Sequence, residues 1–345
     1  MISCVLSKSF HFKNIINSSS VRYLNLSGIF NPTCIPFTND GNIDFDALNH
    51  NIRIFENISF SGYILFGTTG EFPYLNLKEK INVLREFKHK TSPEKITIVG
   101  TGCESTDETI KLTNVLAKEG AHVALILPPY YYKGLSSDDI YLVKHFEEVA
   151  DRCNIPVILY NMPKCTGVNL SINIILKLAQ HPNIIGLKEC DNNIVKLSQL
   201  NYALKCKNDY DKNGFRVLIG SASMLYPSLR LGYTSGGICA MANILGKQLL
   251  VINDILSDKN LSQDPESIEK ANILHNLVMT TNEFLGRSGV PGLKVAMTLL
   301  GYRGGFPRPP LLPCSSQTID EIKTFLTRIG IIGEVNVNSK LQSTF

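Results

Sequence analysis

Short runs of consecutive apolar residues alternate along this chain with longer segments in which apolar and polar residues are mixed. Strands buried on both faces are apolar along their whole length, so each short run predicts a strand of a parallel sheet. The predicted strands are Ile29–Ile35, Gly62–Phe66, Ile96–Gly100, His122–Leu127, Pro156–Tyr160, Ile184–Lys188, Phe215–Ile219 and Gly236–Ala240. Most of the gaps between them can hold a helix. Eight such units within about 215 residues favour an α/β fold of the TIM (β/α)8 barrel type.

A doubly wound open sheet is the alternative architecture for this pattern. No Gly-x-Gly-x-x-Gly motif follows the first predicted strand, which disfavours the dinucleotide-binding form of that sheet. We therefore predict a barrel over residues 28–265, a C-terminal helical extension over residues 266–332 and a loose tail over residues 333–345. The start of the extension is indicated by helically spaced apolar residues, namely Ile268, Ile273, Leu274, Leu277 and Val278.

Two of the predicted strands end in a side chain capable of acid–base or covalent chemistry. Lys188 ends the sixth strand and Tyr160 the fifth, and the carboxyl ends of the strands form the active-site face of a TIM barrel. Gly186 shares a strand face with Lys188 and leaves space beneath it. Burial disfavours the ammonium form, so we expect a lowered pKa at Lys188 and a neutral amine for attack on a carbonyl group. A lysine that merely reaches solvent from a strand end is the alternative interpretation.

Two further segments follow strand ends. The Gly67–Glu71 turn contains small residues, and its backbone N–H groups and two hydroxyls suit a carboxylate, although a tight connection without a ligand would look the same. Tyr130–Tyr132 follow the fourth strand, where a phenol could relay protons or simply pack. Cys103 and Cys190 also lie near strand ends, and we interpret them as ordinary buried cysteines.

The composition of the 345 residues, with 44% hydrophobic and 19% charged residues, is ordinary for a soluble globular enzyme. The net charge is +4 without a dense basic block, which argues against a nucleic-acid partner. No apolar stretch reaches the roughly 18 residues of a membrane span. The nine cysteines are widely spaced without a Cys-x-x-Cys pair, and the seven histidines form no His-x-x-x-His pair. We therefore predict neither a disulfide framework nor a metal site.

The first segment of the chain differs from the rest in charge. Residues 1–39 contain no Asp or Glu, and they carry several serines together with Lys8, Lys13 and Arg22. A basic, serine-rich and acid-free segment is typical of an organelle transit peptide. We predict that residues 1–27 are such a peptide, with a disordered tail as the alternative.

Several motifs occur in a fixed order from about Gly28 to about Pro313. They are Gly67–Pro73, Gly100–Thr106, Pro128–Gly134, Tyr160–Gly167, His181–Lys188, Gly220–Ser223, Gly236–Asn243 and Pro291–Lys294. Together they resemble the class I aldolase superfamily typified by dihydrodipicolinate synthase and N-acetylneuraminate lyase. The resemblance implies a TIM barrel in which a lysine forms a Schiff base with a 2-oxo acid.

The resemblance also implies roles for particular residues. Lys188 would form the Schiff base, and Tyr160 would shuttle the proton. Thr68 would link Tyr160 to Tyr131 of a neighbouring subunit, which implies a homotetramer. The remaining predicted substrate-binding residues are Thr69, Gly70, Cys165, Gly220 and Ser221. No metal or organic cofactor is expected, because the iminium itself serves as the electron sink.

Within the superfamily the chain resembles the mitochondrial hydroxyoxoglutarate aldolases most. The expected reaction is therefore retro-aldol cleavage of 4-hydroxy-2-oxoglutarate to pyruvate and glyoxylate in the mitochondrial matrix. Thr68 and Thr69 instead resemble a dihydrodipicolinate-type synthase, which condenses pyruvate with aspartate semialdehyde. Against a synthase, Cys165 stands where the synthase pattern carries an arginine that binds the second carboxylate. Two more hypotheses stay open, namely another 2-oxo-acid lyase and a non-catalytic binding scaffold.

Overall fold

Eight parallel strands form the centre of the molecule. The computed structural model describes residues 24–132, 139–206 and 214–332. Within these residues the strands follow one another in chain order and close into a barrel, which confirms the predicted TIM barrel. They are β1 (Gly28–Pro32), β2 (Gly62–Leu65), β3 (Ile96–Gly100), β4 (Val123–Ile126), β5 (Val157–Asn161), β6 (Ile184–Glu189), β7 (Arg216–Ile219) and β8 (Gly236–Ile238).

Helices cover the outside of the barrel and continue beyond it. Those in the barrel are α1 (Phe45–Glu56), α2 (Leu77–Lys90), α3 (Thr106–Lys118), α4 (Asp139–Arg152), α5 (Pro163–Thr166), α6 (Ile172–Leu178), α7 (Ile194–Cys206), α8 (Leu225–Arg230) and α9 (Ala242–Ser257). The predicted C-terminal extension is present as α10 (Pro265–Gly286), α11 (Gly289–Leu299) and α12 (Ser316–Arg328). None of the described helices is long and apolar enough to cross a membrane.

The core has two layers because successive residues of a strand point to opposite faces. Ile29, for example, packs in the outer layer between strands and helices, whereas its neighbour Phe30 packs inside the barrel. Leu26 belongs to the inner layer and is 1% exposed, although it lies within the predicted transit peptide. The rest of that prediction, residues 1–23, and the predicted tail, residues 333–345, lie outside the described residues.

A buried ion pair joins the barrel to the C-terminal extension. Lys294 of α11 lies 2.6 Å from the carboxylate of Glu71, and both side chains are 1% exposed. The same ammonium donates to the carbonyl oxygens of Ile35 and Phe306, at 2.8 and 2.6 Å. The second carboxylate oxygen of Glu71 accepts from the backbone N–H of Arg308 at 2.9 Å. Because both charges have several partners, the pair holds the turn after β2 against α11.

Lys294→Met is expected to lower the free energy of unfolding by about 3–5 kcal/mol, because Glu71 would remain buried without its partner. Urea denaturation followed by circular dichroism measures this loss. Lys323→Met, on the exposed face of α12, is the matched control and should change the free energy of unfolding by less than about 0.5 kcal/mol. An unchanged urea midpoint for Lys294→Met would show that the pair contributes nothing to stability.

Candidate active site

Lys188 and Tyr160 face each other at the carboxyl end of the barrel. The ammonium of Lys188 lies 4.1 Å from the centroid of the Tyr160 ring, and the two residues are 5% and 4% exposed. They are register partners across β5 and β6, and partners in parallel strands point to the same side. The register between these strands shifts by one residue at Val157 and Ile158. Without this shift Tyr160 would stand opposite Leu187, and Lys188 would point to the other face.

Gly220, at the end of β7, leaves room for the stem of Lys188. A Cβ atom at Gly220 would lie 3.3 Å from Cε of Lys188 and only 2.0 Å from the sulfur of Cys190. No larger residue fits at this position without moving its neighbours. Cys190 therefore lies beside Lys188. The sequence analysis interpreted Cys190 as an ordinary buried cysteine and did not predict that it lies next to Lys188.

Thr68 connects Tyr160 to the turn that follows β2. Its hydroxyl lies 3.1 Å from the Tyr160 hydroxyl, and either group can be the donor. Lys188, Tyr160 and Thr68 thus form a continuous polar chain, in which the Tyr160 hydroxyl is hydrogen-bonded to Thr68 and the Lys188 ammonium lies over the Tyr160 ring.

The pKa of Lys188 lies above its ordinary value. Burial alone lowers the pKa, but interactions with Tyr160 and Cys190 outweigh burial. The expectation of a lowered pKa is therefore wrong, because the neighbours of a buried amine can favour its charged form. Burial raises the pKa of Tyr160 as well, and Lys188 offsets this only in part. At neutral pH the pair is an ammonium beside a neutral phenol, so the amine must pass on a proton before it attacks.

The polar chain opens into a cavity of about 610 Å³. Its lining includes Thr68, Tyr160 and Cys165, which were predicted as site residues, and Tyr130 from the loop after β4. Residues 286–291, from the end of α10 to the start of α11, complete the wall and include Arg287. The sequence contained no signal for Arg287, because it lies outside the recognised motifs and follows a long helix.

The predicted carboxylate-binding turn is a single turn of 3₁₀ helix, Thr68–Gly70. Thr69 is 9% exposed, and Gly70 packs against the end of β1, where an added Cβ would lie 3.1 Å from the Thr33 carbonyl oxygen. Within the described residues, the backbone N–H groups of Thr68 and Thr69 have no hydrogen-bond acceptor. The turn therefore keeps two N–H groups available for an anion.

Two of the predicted site residues lie apart from this cluster within one chain. Tyr131 is 73% exposed, and its backbone N–H donates to Glu104 at 2.8 Å. No contact joins Tyr131 to Thr68 in the described part of the chain, so its predicted role requires a neighbouring subunit. Ser221 follows Gly220 and precedes the 3₁₀ turn Ala222–Met224, and among the described residues it forms no hydrogen bond with Lys188 or Tyr160.

Over residues 24–132, 139–206 and 214–332, no group of three or more His, Cys, Asp or Glu side chains could hold a metal.

Comparison with known proteins identifies relatives over most of the chain. The model of the Dihydrodipicolinate synthetase family matches residues 25–329. The 4-hydroxy-tetrahydrodipicolinate synthase of Methanothrix thermoacetophila is 31% identical over 304 residues, 88% of this chain and 97% of the relative. The enzyme of the same name from Methanosphaera stadtmanae is 33% identical over 307 residues, 89% of this chain and 98% of the relative. The crystal structure of the chloride-inhibited dihydrodipicolinate synthase from Acinetobacter baumannii, complexed with pyruvate, superposes with a TM-score of 0.80 at 28% identity, covering 89% of this chain and 99% of that one.

These relatives overturn the expected reaction. Cleavage of 4-hydroxy-2-oxoglutarate to pyruvate and glyoxylate was predicted from short motifs and from the N-terminal composition. Relatives that match along almost their whole length carry the name of the synthase instead, so the prediction of the aldolase reaction is wrong. Thr68 and Thr69, which resemble the synthase pattern, agree with the names of these relatives.

Proposed function

The chain belongs to the dihydrodipicolinate synthetase family, and we propose that it condenses pyruvate with aspartate semialdehyde through a Schiff base on Lys188. The observation that carries the proposal is the buried pair of Lys188 and Tyr160, with Thr68 bonded to Tyr160 and a cavity beyond it. A buried amine with a proton acceptor beside it is what a Schiff-base enzyme requires.

The reaction begins when Lys188 passes its proton to Tyr160, whose own hydroxyl proton moves to Thr68 and on to the cavity. The neutral amine then attacks C2 of pyruvate. The carbonyl oxygen takes one proton from the attacking nitrogen and one back from the polar chain, and leaves as water to give an iminium. The positive nitrogen withdraws electrons from C3, so a methyl proton is lost and an enamine forms. No separate electron sink is needed for this step.

The enamine carbon next attacks the aldehyde carbon of aspartate semialdehyde, and the aldehyde oxygen takes up a proton. A carbon–carbon bond now joins the two substrates. The amino group of the second substrate attacks C2 and displaces Lys188, which closes a six-membered ring and frees the enzyme amine. The polar chain from Lys188 to Thr68 can carry the protons in both halves of the reaction.

The turn after β2 supports binding of pyruvate. Its free N–H groups at Thr68 and Thr69 suit the carboxylate next to the keto group. Glu71, the only anion among the described lining residues, is neutralised by Lys294 and so does not repel the substrate.

Two measurements on the purified protein test the proposal. Exchange of the pyruvate methyl protons for deuterium, followed by NMR, reports the iminium and enamine alone. Loss of pyruvate that depends on added aspartate semialdehyde reports the condensation. We expect both in the wild type. Exchange without condensation would reject aspartate semialdehyde as the substrate and retain the Schiff-base chemistry, whereas the absence of exchange would reject both.

Two features of the proposal concern the protein as a whole. A homotetramer remains a prediction, supported by the 73% exposure of Tyr131, which is then free to reach a neighbouring subunit. Sedimentation analysis of the purified protein tests it.

The mitochondrial matrix remains the predicted location on the basis of the acid-free N-terminal composition, and fractionation of cells tests that prediction.

A further inference from the structure

Arg287 is a cation on the cavity wall, and none of the described residues pairs with its side chain. It directly follows α10 and lines the same cavity as Thr68, Tyr160 and Cys165. Its backbone N–H donates to Phe284, but no described residue forms a hydrogen bond or ion pair with its guanidinium. Arg287 is exposed, so its guanidinium is solvated, and a solvated guanidinium on the wall of a substrate cavity can bind an anionic ligand.

Three other cations near this wall are already engaged. Lys294 is paired with Glu71, and the Arg308 guanidinium lies 2.7 Å from Glu79 and also donates to the Gly41 carbonyl oxygen. Lys188 forms the Schiff base with the keto group of pyruvate in the proposed function. Among the described lining residues, Arg287 is therefore the cation available to a second anionic group.

The second substrate brings such a group. Aspartate semialdehyde has an aldehyde at one end and a carboxylate at the other. When the aldehyde carbon meets the enamine on Lys188, the carboxylate must lie in the outer part of the cavity. Cys165 lines that cavity but carries no charge at neutral pH, because burial raises the pKa of its thiol. A guanidinium can bind both oxygens of a carboxylate at once.

We propose that Arg287 binds the carboxylate of aspartate semialdehyde and so determines specificity for the second substrate. This inference rests on the proposed function. The segment that carries Arg287 is well placed for the role, because α11, which begins two residues later, is held to the barrel by Lys294 and Glu71. The arginine thus stands on an anchored wall of the cavity.

The test compares two aldehydes in wild type and in Arg287→Ala. Aspartate semialdehyde carries the carboxylate, and 3-aminopropanal has the same aldehyde and amine without it. Arg287→Ala should raise KM for aspartate semialdehyde roughly 10- to 100-fold, the usual worth of a charge-assisted contact. It should leave the turnover of 3-aminopropanal and the deuterium exchange of pyruvate unaltered. Arg287→Lys should recover part of the loss, and Arg53→Ala, on the exposed face of α1, is the matched control.

The outcomes separate this inference from the proposed function. An unchanged KM for aspartate semialdehyde in Arg287→Ala would overturn the role of Arg287 and leave the condensation intact. Equal losses with both aldehydes would mean that Arg287 only supports the structure, which also overturns the inference. If the wild type exchanges pyruvate protons but consumes no aspartate semialdehyde, the proposed function fails and the inference fails with it.

Discussion

Lys188→Ala is expected to show no turnover and no covalent adduct with pyruvate. In the proposed mechanism the Lys188 amine attacks pyruvate, and a methyl group cannot replace it. Incubation with pyruvate and borohydride, followed by peptide mass spectrometry, should locate the reduced adduct on Lys188 in the wild type and find none in the variant. Lys188→Arg should be equally inactive, because guanidinium stays protonated and is not a nucleophile.

Two controls make this result specific. Lys144→Ala, on the exposed face of α4, should keep wild-type turnover and the adduct on Lys188. Circular dichroism should show that Lys188→Ala is folded, since Ala removes a side chain that lies over the ring of Tyr160, a residue of the cavity wall. Substantial turnover by a folded Lys188→Ala protein would refute the Schiff-base mechanism.

Tyr160→Phe is expected to lower kcat by roughly 10²–10⁴-fold, the usual contribution of a positioned proton-transfer group. Phenylalanine keeps the ring that lies 4.1 Å from the Lys188 ammonium, so the change removes little besides the hydroxyl. That hydroxyl forms the hydrogen bond to Thr68, so its removal breaks the polar chain. Steady-state kinetics with pyruvate and aspartate semialdehyde measure the loss.

The pyruvate KM separates proton transfer from binding in this variant. Because the hydroxyl acts on protons, the loss should fall on kcat and on the rate of deuterium exchange, with a small change in KM. Tyr202→Phe, 72% exposed on α7, should behave as wild type. Normal turnover by Tyr160→Phe would show that another group carries the proton.

Much of the architecture was predictable because it depends on short-range patterns. Runs such as Ile96–Gly100 are apolar at every position but one. In a chain of ordinary composition, such a run indicates a strand that is buried on both faces. The position of Lys188 at a strand end followed from the same pattern. The superfamily followed from motifs that the chain carries in order, and the family match over residues 25–329 agrees with it.

The substrate was harder to predict from the sequence. The second substrate is recognised by side chains that converge from separate elements, so one motif seldom identifies it. Cys165 stands in place of an arginine, and this argued against a synthase. The sequence alone could not show that another cation lines the same cavity. Arg287 lines the cavity from the C-terminal extension, far from Cys165 along the chain.

The sequence by itself determined the barrel, the C-terminal helices, the superfamily and the placement of Lys188 and Tyr160 at strand ends. The tertiary structure decided three further features. The one-residue register shift at Val157 sets Tyr160 opposite Lys188, the neighbours of Lys188 reverse the expected direction of its pKa shift, and the loop after α10 brings Arg287 to the cavity. Each depends on distances between groups that are remote along the chain. Apolar periodicity reports which face of a strand is buried, but it does not report which residue of another strand stands opposite.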